Sequence, residues 1–322
     1  MKIFDVDKVR QNPPPVFSEY RTIAILTHKQ PIEVFLTAID TQLQKEPDNV
    51  QLLMEKAQIY RRIAAFERSL SSYSRVLKLD ADNTSANTAD QVKTIAYAKT
   101  ALSILSGAPV SYLSTCDLQP APFVRYRDFF PSKTVETFFN TAVSRQTEFI
   151  HAGVTEKHEY NPDKRQTLAL ANIGEIKTQF RRFLRQNLPE YCQRLGIVSF
   201  TPGKIETKMT NHLDGGFFKP HRDTLQLLPC SGRCISYLYY FHRQPKRFNG
   251  GDLILFDTNL ERNQYKLSQF TRIPCEHNSL TLFPSGWFHC VEPVRLAGNR
   301  FEDGRMAITG HIHYGGNDQC RS

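Results

Sequence analysis

Residues 233–257 read RCISYLYYFHRQPKRFNGGDLILFD. Two runs rich in β-branched and aromatic residues flank a break containing Pro245 and the glycine pair Gly250 and Gly251. Such runs, bounded by turn residues, predict two strands. The same grammar continues outward. KIETKMTNHL (204–213) precedes the pair, and SLTLFP (279–284), FHCVEPV (288–294) and RMAITGHIHY (305–314) follow it. No convincing helix pattern interrupts the stretch that begins after Gly232, so an antiparallel barrel or jelly roll is expected. Two helical stretches, near residues 131–148 and 173–195, come before it.

The N-terminal third is written differently. VQLLMEKAQIYRRIAAFERSLSSYSRVLKL (50–79) repeats apolar residues three and four apart with no glycine or proline inside, as amphipathic helices require. KEPDNVQ (45–51) and LDADNTS (79–85) align at an offset of 34, so that Asp48 and Asn49 recur as Asp82 and Asn83. That offset is the length of a tetratricopeptide repeat, a helix pair that stacks on its neighbours. Ala57, Tyr60 and Ala64, then Tyr73 and Leu77, fall where such a repeat packs small and aromatic residues. The segment resembles about two tetratricopeptide units followed by a further helix near 89–105. The proline, glycine and serine content of LSGAPVSYLSTCDLQPAPF (105–123) marks a boundary. The expected organisation is α+β, with a helical tetratricopeptide-like domain over residues 1–110 and a jelly-roll domain over 111–322.

Of 322 residues, 40% are hydrophobic and 23% charged, enough to bury a sizeable core. The first residues lack the apolar run of a secretory signal, and no segment reaches the ~18 apolar residues of a membrane helix. A cytoplasmic protein without membrane contact is expected. Seven cysteines without a C-x-x-C spacing fit reduced thiols, with Cys230 and Cys234 structural. The net charge is +9; residues 1–110 carry 14 Lys and Arg against 12 Asp and Glu, leaving 27 against 20 for the remainder. The excess therefore lies in the half that holds the strands, where an acidic substrate or cosubstrate would be attracted. No nucleic-acid-binding motif accompanies it.

FFKPHRDT (217–224) places His221 and Asp223 one residue apart just after Gly215 and Gly216, and PSGWFHCVEPV (284–294) brings His289 at the start of a predicted strand. Two histidines and one carboxylate, two on one short segment and the third on a distant strand, form the facial triad that leaves three positions of an octahedral Fe(II) open. Those positions suit a bidentate cosubstrate and O2. Arg305 begins the last predicted strand, and Arg300 precedes it. An arginine at a barrel mouth binds a planar carboxylate through two parallel hydrogen bonds, as a 2-oxo acid with a distal carboxylate requires.

Over residues from about 120 to 315 the chain resembles the 2-oxoglutarate and Fe(II)-dependent dioxygenases of the prolyl 4-hydroxylase type. NHLDGGFFKPHRD, RCISYLYYFHRQPKRFNGGDLILFD and FPSGWFHCVEPV occur in that family's order. The resemblance implies that His221, Asp223 and His289 bind iron. Counting from the distal histidine favours Arg300 as the cosubstrate's basic partner, while the strand that follows favours Arg305. Arg305 is chosen, with FEDG (301–304) read as an insertion. Where many members have a tyrosine before the glycine pair, this chain has His212. Either His212 donates that contact, or Tyr237 or Tyr239 on the next strand does. An aspartate at 223 also fills the place where related halogenases leave room for chloride, which implies hydroxylation. Trp287 and Phe288, with Phe217 and Phe218, flank the triad histidines and are candidates for pocket lining or plain core.

The resemblance further implies Fe(II), 2-oxoglutarate and O2, with ascorbate as an additional candidate cofactor. The first expectation is a hydroxylase of a peptidyl or protein residue such as proline, its partner recruited by the helical repeats. The alternative is a hydroxylase of a small molecule or of a free or carrier-bound amino acid, with the repeats serving docking or a homodimer. A non-catalytic repeat scaffold is a third reading, and the intact triad and arginine argue against it.

Overall fold

The computed structural model describes residues 18–82, 88–110, 118–153, 160–224 and 232–315. Five helices come first: α1 (Ser18–Thr27), α2 (Lys29–Lys45), α3 (Val50–Arg62), α4 (Phe66–Asp82) and α5 (Ala89–Ser106). Their ends follow from the sequence. Asn49 caps α3 by accepting the Leu52 N–H at 3.1 Å. Thr88 and Gln91 form a capping box on α5, which stops at Gly107 in the left-handed region. Ala57 and Tyr73 are fully buried between α3 and α4, with Leu53, Val76 and Ala98 around them. Ala64 departs from its expected place on a packed helix face. It sits in the turn after α3 with φ 57°. Asn83, one of the two recurring asparagines, lies outside the described residues, as does Cys230; Cys234 is buried.

The remainder folds as β1 (Val124–Tyr126), α6 (Ser132–Ser144), β2 (Ile150–His151), β3 (Arg165–Gln166), β4 (Leu168–Leu170), α7 (Gly174–Gln186) and α8 (Leu188–Leu195). The strands β5 (Pro202–Ile205), β6 (Lys208–His212), β7 (Phe217–His221), β8 (Arg233–Tyr240), β9 (Phe248–Gly250) and β10 (Leu253–Asn259) follow. Last come β11 (Gln264–Ile273), β12 (Ser279–Pro284), β13 (His289–Val291), β14 (Val294–Leu296) and β15 (Arg305–Tyr314). One antiparallel sheet runs β1-β12-β8-β15-β6-β4-β2, with β5 also on β15; a second runs β11-β10-β13-β7-β3. A helical N-terminal region thus leads into an antiparallel β domain of the jelly-roll kind.

Strand periodicity divides the core. Ile235, Tyr237 and Tyr239 of β8, with Phe241 just beyond it, lie beneath Phe138 of α6 and Phe180 of α7. Leu238 and Tyr240 point the other way, among Leu253 and Leu255 of β10. The outer face of β10, Ile254 and Phe256, is covered by Tyr20 and Ile23 of α1. Ile104 and Val110 from the helical region enter the core between the sheets, so helices and strands share one interior. No described helix is long and apolar enough to cross a membrane.

Candidate metal centre

β13 pairs with β7 so that His289 faces His221 across the ladder. Asp223 follows two residues later, its backbone N–H held by the Ser285 carbonyl at 3.0 Å. This register brings three ligand atoms, one from each of His221, Asp223 and His289, within 4.8 Å of one another. His221 Nε2 lies 3.5 Å from Asp223 Oδ1, and His289 Nε2 lies 3.3 Å from Asp223 Oδ2. Each histidine has its other nitrogen committed: His221 Nδ1 is 2.7 Å from the Lys219 carbonyl and His289 Nδ1 is 3.0 Å from the Trp287 carbonyl. A carbonyl can only accept, so both Nδ1 atoms carry the proton and both Nε2 lone pairs face Asp223. Burial, then the neighbouring His289, lowers the His221 pKa and keeps the ring neutral. Burial alone would raise the Asp223 carboxyl; the neighbouring His311 and His289 hold it well below the usual carboxylate range. Ser236 donates to Asp223 Oδ2 at 2.6 Å and also meets Ser285 at 2.8 Å and His311 at 3.2 Å. Two imidazoles whose Nε2 atoms converge with an ionised carboxylate, each held from behind, fit a divalent iron with positions to spare.

Arg305 is fully buried at the start of β15, paired in the ladder with His212. Its Nε donates to the Gly251 carbonyl, one terminal nitrogen donates to the Tyr240 hydroxyl at 3.1 Å, and the other lies 3.4 Å from His212 Nδ1. Among the described residues no carboxylate stands within ion-pair distance of it. A sealed guanidinium without a counter-charge fits a cosubstrate that brings its own carboxylate. Burial and the Arg305 charge push the His212 pKa well below its ordinary value. Nδ1 can therefore accept from Arg305 while Nε2 donates to Thr167 Oγ1 at 2.8 Å. His212 stands behind Arg305 and fixes it. Arg300 is on the surface, its guanidinium on Glu302 and Asp303.

Tyr237 and Tyr239 do not reach this site. Tyr237 donates to the Glu206 carbonyl and to Thr207 Oγ1, each at 2.8 Å, and Tyr239 donates to Asn278 Oδ1 at 2.8 Å, both on the helix-covered face. Tyr240, one position on and therefore on the inner face, accepts from Arg305 instead. The sequence held the signal in its alternation, but aromatic residues occupy both faces of β8. Of the flanking aromatics, Phe218 stacks on His221 with centroids 3.6 Å apart, while Phe217 and Trp287 are core and Phe288 packs on Tyr265. Ser236, His311 and Tyr240 went unremarked in the sequence because each is defined only by the fold that brings it to its partner.

Residues 207–313 match the 2OG-Fe(II) oxygenase superfamily. The match contains His221, Asp223, His289 and Arg305, and it implies Fe(II), 2-oxoglutarate and O2. The chain is 29% identical over 197 residues to an uncharacterized PKHD-type hydroxylase of Synechocystis sp., covering 60% of this chain and 63% of that relative, under two thirds of its length. A Pseudomonas putida prolyl-4-hydroxylase superposes with a TM-score of 0.44 at 19% identity, covering 61% of this chain and 94% of that one. A Trichoplax adhaerens prolyl hydroxylase, solved with a hypoxia inducible factor oxygen degradation domain peptide fragment, gives 0.44 at 19% identity, covering 60% and 83%.

Proposed function

We propose that the protein is an Fe(II)- and 2-oxoglutarate-dependent dioxygenase that hydroxylates a C–H bond, with a peptidyl or protein residue such as proline as the preferred substrate. The observation that carries this reading is the pairing of the His221, Asp223 and His289 cluster with a sealed, uncompensated Arg305. Iron held by the three ligands would supply the chemistry of O2 activation coupled to loss of CO2 from 2-oxoglutarate, giving succinate. The chain's own residues do the rest. Arg305 binds the distal carboxylate, His212 and Tyr240 hold Arg305 in place, and Ser236 with His311 keeps Asp223 turned to the metal. Burial of Arg305, His212, Tyr240, Ser236 and His289 limits the access of bulk water, which strengthens the charge interactions there. In this reading residues 111–322 form the oxygenase part. Residues 1–110 form the tetratricopeptide-like part that recruits a partner, ascorbate is an accessory, and the site of action is the cytoplasm.

Calorimetric titration of Mn(II) into the full chain and into His221→Ala, Asp223→Ala and His289→Ala variants tests the site. Each variant is expected to lose metal binding while its melting transition stays cooperative. Unchanged affinity in all three would remove the metal assignment. Succinate release that proceeds only with 2-oxoglutarate, matched by one oxygen gained in a proline-containing peptide, tests the reaction.

A further inference from the structure

Arg165 of β3 pairs with Phe218 of β7, the strand whose other edge carries His221 to His289. It is only 9% exposed, and its guanidinium lies 4.5 Å from the centroid of the Phe218 ring, which itself stacks on His221. A buried cation therefore stands one ring away from the metal cluster. Its bonding is thin. One nitrogen donates to the Gly153 carbonyl at 3.3 Å, and Nε is buried with no partner among the described residues.

No carboxylate nearby is left for it among the described residues. Glu206 is shared by Arg233 at 2.9 Å and His313 at 2.8 Å, and Asp223 is enclosed by the two histidines. Lys208 on β6 adds a second cation. Burial, then the charge of Arg165, lowers its ammonium to about 8. Burial lowers Arg165 itself to about 10. A buried cation pays for the water it has lost, and a cation–π contact with Phe218 does not replace that water. An anion arriving from outside would complete the arrangement. It differs from the anion assigned to Arg305, whose guanidinium is held by Gly251, Tyr240 and His212, whereas that of Arg165 lies over Phe218 and on the Gly153 carbonyl.

We propose that Arg165 binds a carboxylate of the substrate, so that the C–H bond presented to the metal lies close to an acidic group. This rests on the dioxygenase reading and narrows its substrate class. The test is thermal melting of the full chain loaded with Mn(II) and 2-oxoglutarate, titrated with acetate or with acetamide, its neutral analogue, at constant ionic strength. Acetate is expected to raise the melting temperature saturably and acetamide to leave it unmoved. In Arg165→Leu the acetate response should fall by at least about fivefold, and Arg165→Lys, which keeps the charge, should retain part of it. N-acetylproline against N-acetyl-aspartyl-prolinamide then separates a terminal carboxylate from an acidic side chain. Equal acetate responses in the wild type and Arg165→Leu, or acetate no better than acetamide, would overturn the proposal. If Mn(II) and 2-oxoglutarate themselves leave the melting temperature unchanged, the dioxygenase reading fails, while the acetate comparison repeated without them still judges Arg165.

Discussion

Arg305 is sealed between the Tyr240 hydroxyl and the Gly251 carbonyl, whereas Arg300, five residues earlier, lies on the surface with its guanidinium against two acidic side chains. Equal charges in such different surroundings have different worth. Losing one partner of a shielded, charge-assisted pair costs about 2–5 kcal/mol, so Arg305→Ala should raise the 2-oxoglutarate requirement by about 30-fold or more. Arg300→Ala loses a solvated pair and should cost under about 1 kcal/mol. Titrating 2-oxoglutarate against succinate release in both variants decides between them. The opposite ranking would mean that the residues of the one-turn helix Phe301–Asp303 are not an insertion before the last strand. Here the sequence was ambiguous because it offered two counting rules. Burial resolves the geometry, and burial is not written in a residue's own letter.

At the scale of the element, β8 shows how much periodicity can carry. Its existence and its edges were readable from composition and turn residues, and so were β6, β10, β12, β13 and β15. Its faces were not, since a strand covered on both sides shows no polar alternation to tell inside from outside. The phase of β8 is set by Ser236, which must meet Asp223, and this places Tyr240 inside with Tyr237 and Tyr239 outside. The consequence is measurable. Tyr239→Phe should cost about 1 kcal/mol of stability through the bond lost to Asn278, without moving the 2-oxoglutarate requirement, while Tyr240→Phe should raise that requirement several-fold. Denaturant melts paired with cosubstrate titrations separate the two effects, and a cosubstrate shift in Tyr239→Phe would reverse the assignment of faces. The glycine pair before β10 has a similar reason. Gly251 has φ 72°, and a Cβ there would stand 2.7 Å from Arg305 Cδ, so a side chain at this position would displace the buried guanidinium.

For the whole molecule, the charge balance of the helical region gives no hint that its most consequential residue is Arg61. This side chain leaves α3 and enters the barrel, where it binds Asp257 of β10 through two bonds of 2.7 and 3.1 Å and Thr271 of β11 at 2.9 Å. Tyr97 of α5 closes the cluster by bonding both Arg61 and Asp257. Arg61 and Asp257 are 2% and 0% exposed, so neither finds water if the other is removed. Helices found by their periodicity could be assigned to a separate domain, because a cross-domain pair has no local signature. The structure instead covers the edge strand β11 with α3 and extends the barrel core into the helices. Breaking a buried pair from one side leaves an uncompensated charge, so Arg61→Ala should lower the unfolding free energy by about 3–5 kcal/mol. Replacing the pair by Arg61→Met with Asp257→Leu, and Tyr97→Phe beside them, should recover most of that loss, since well-packed apolar groups need no partner. Chemical denaturation of the full chain, followed by tyrosine absorbance and by circular dichroism, should give one coincident transition in the wild type and in all variants. Two separated transitions, with Arg61→Ala no less stable than the wild type, would mean that the helices and the barrel fold independently and that the pair is not what joins them.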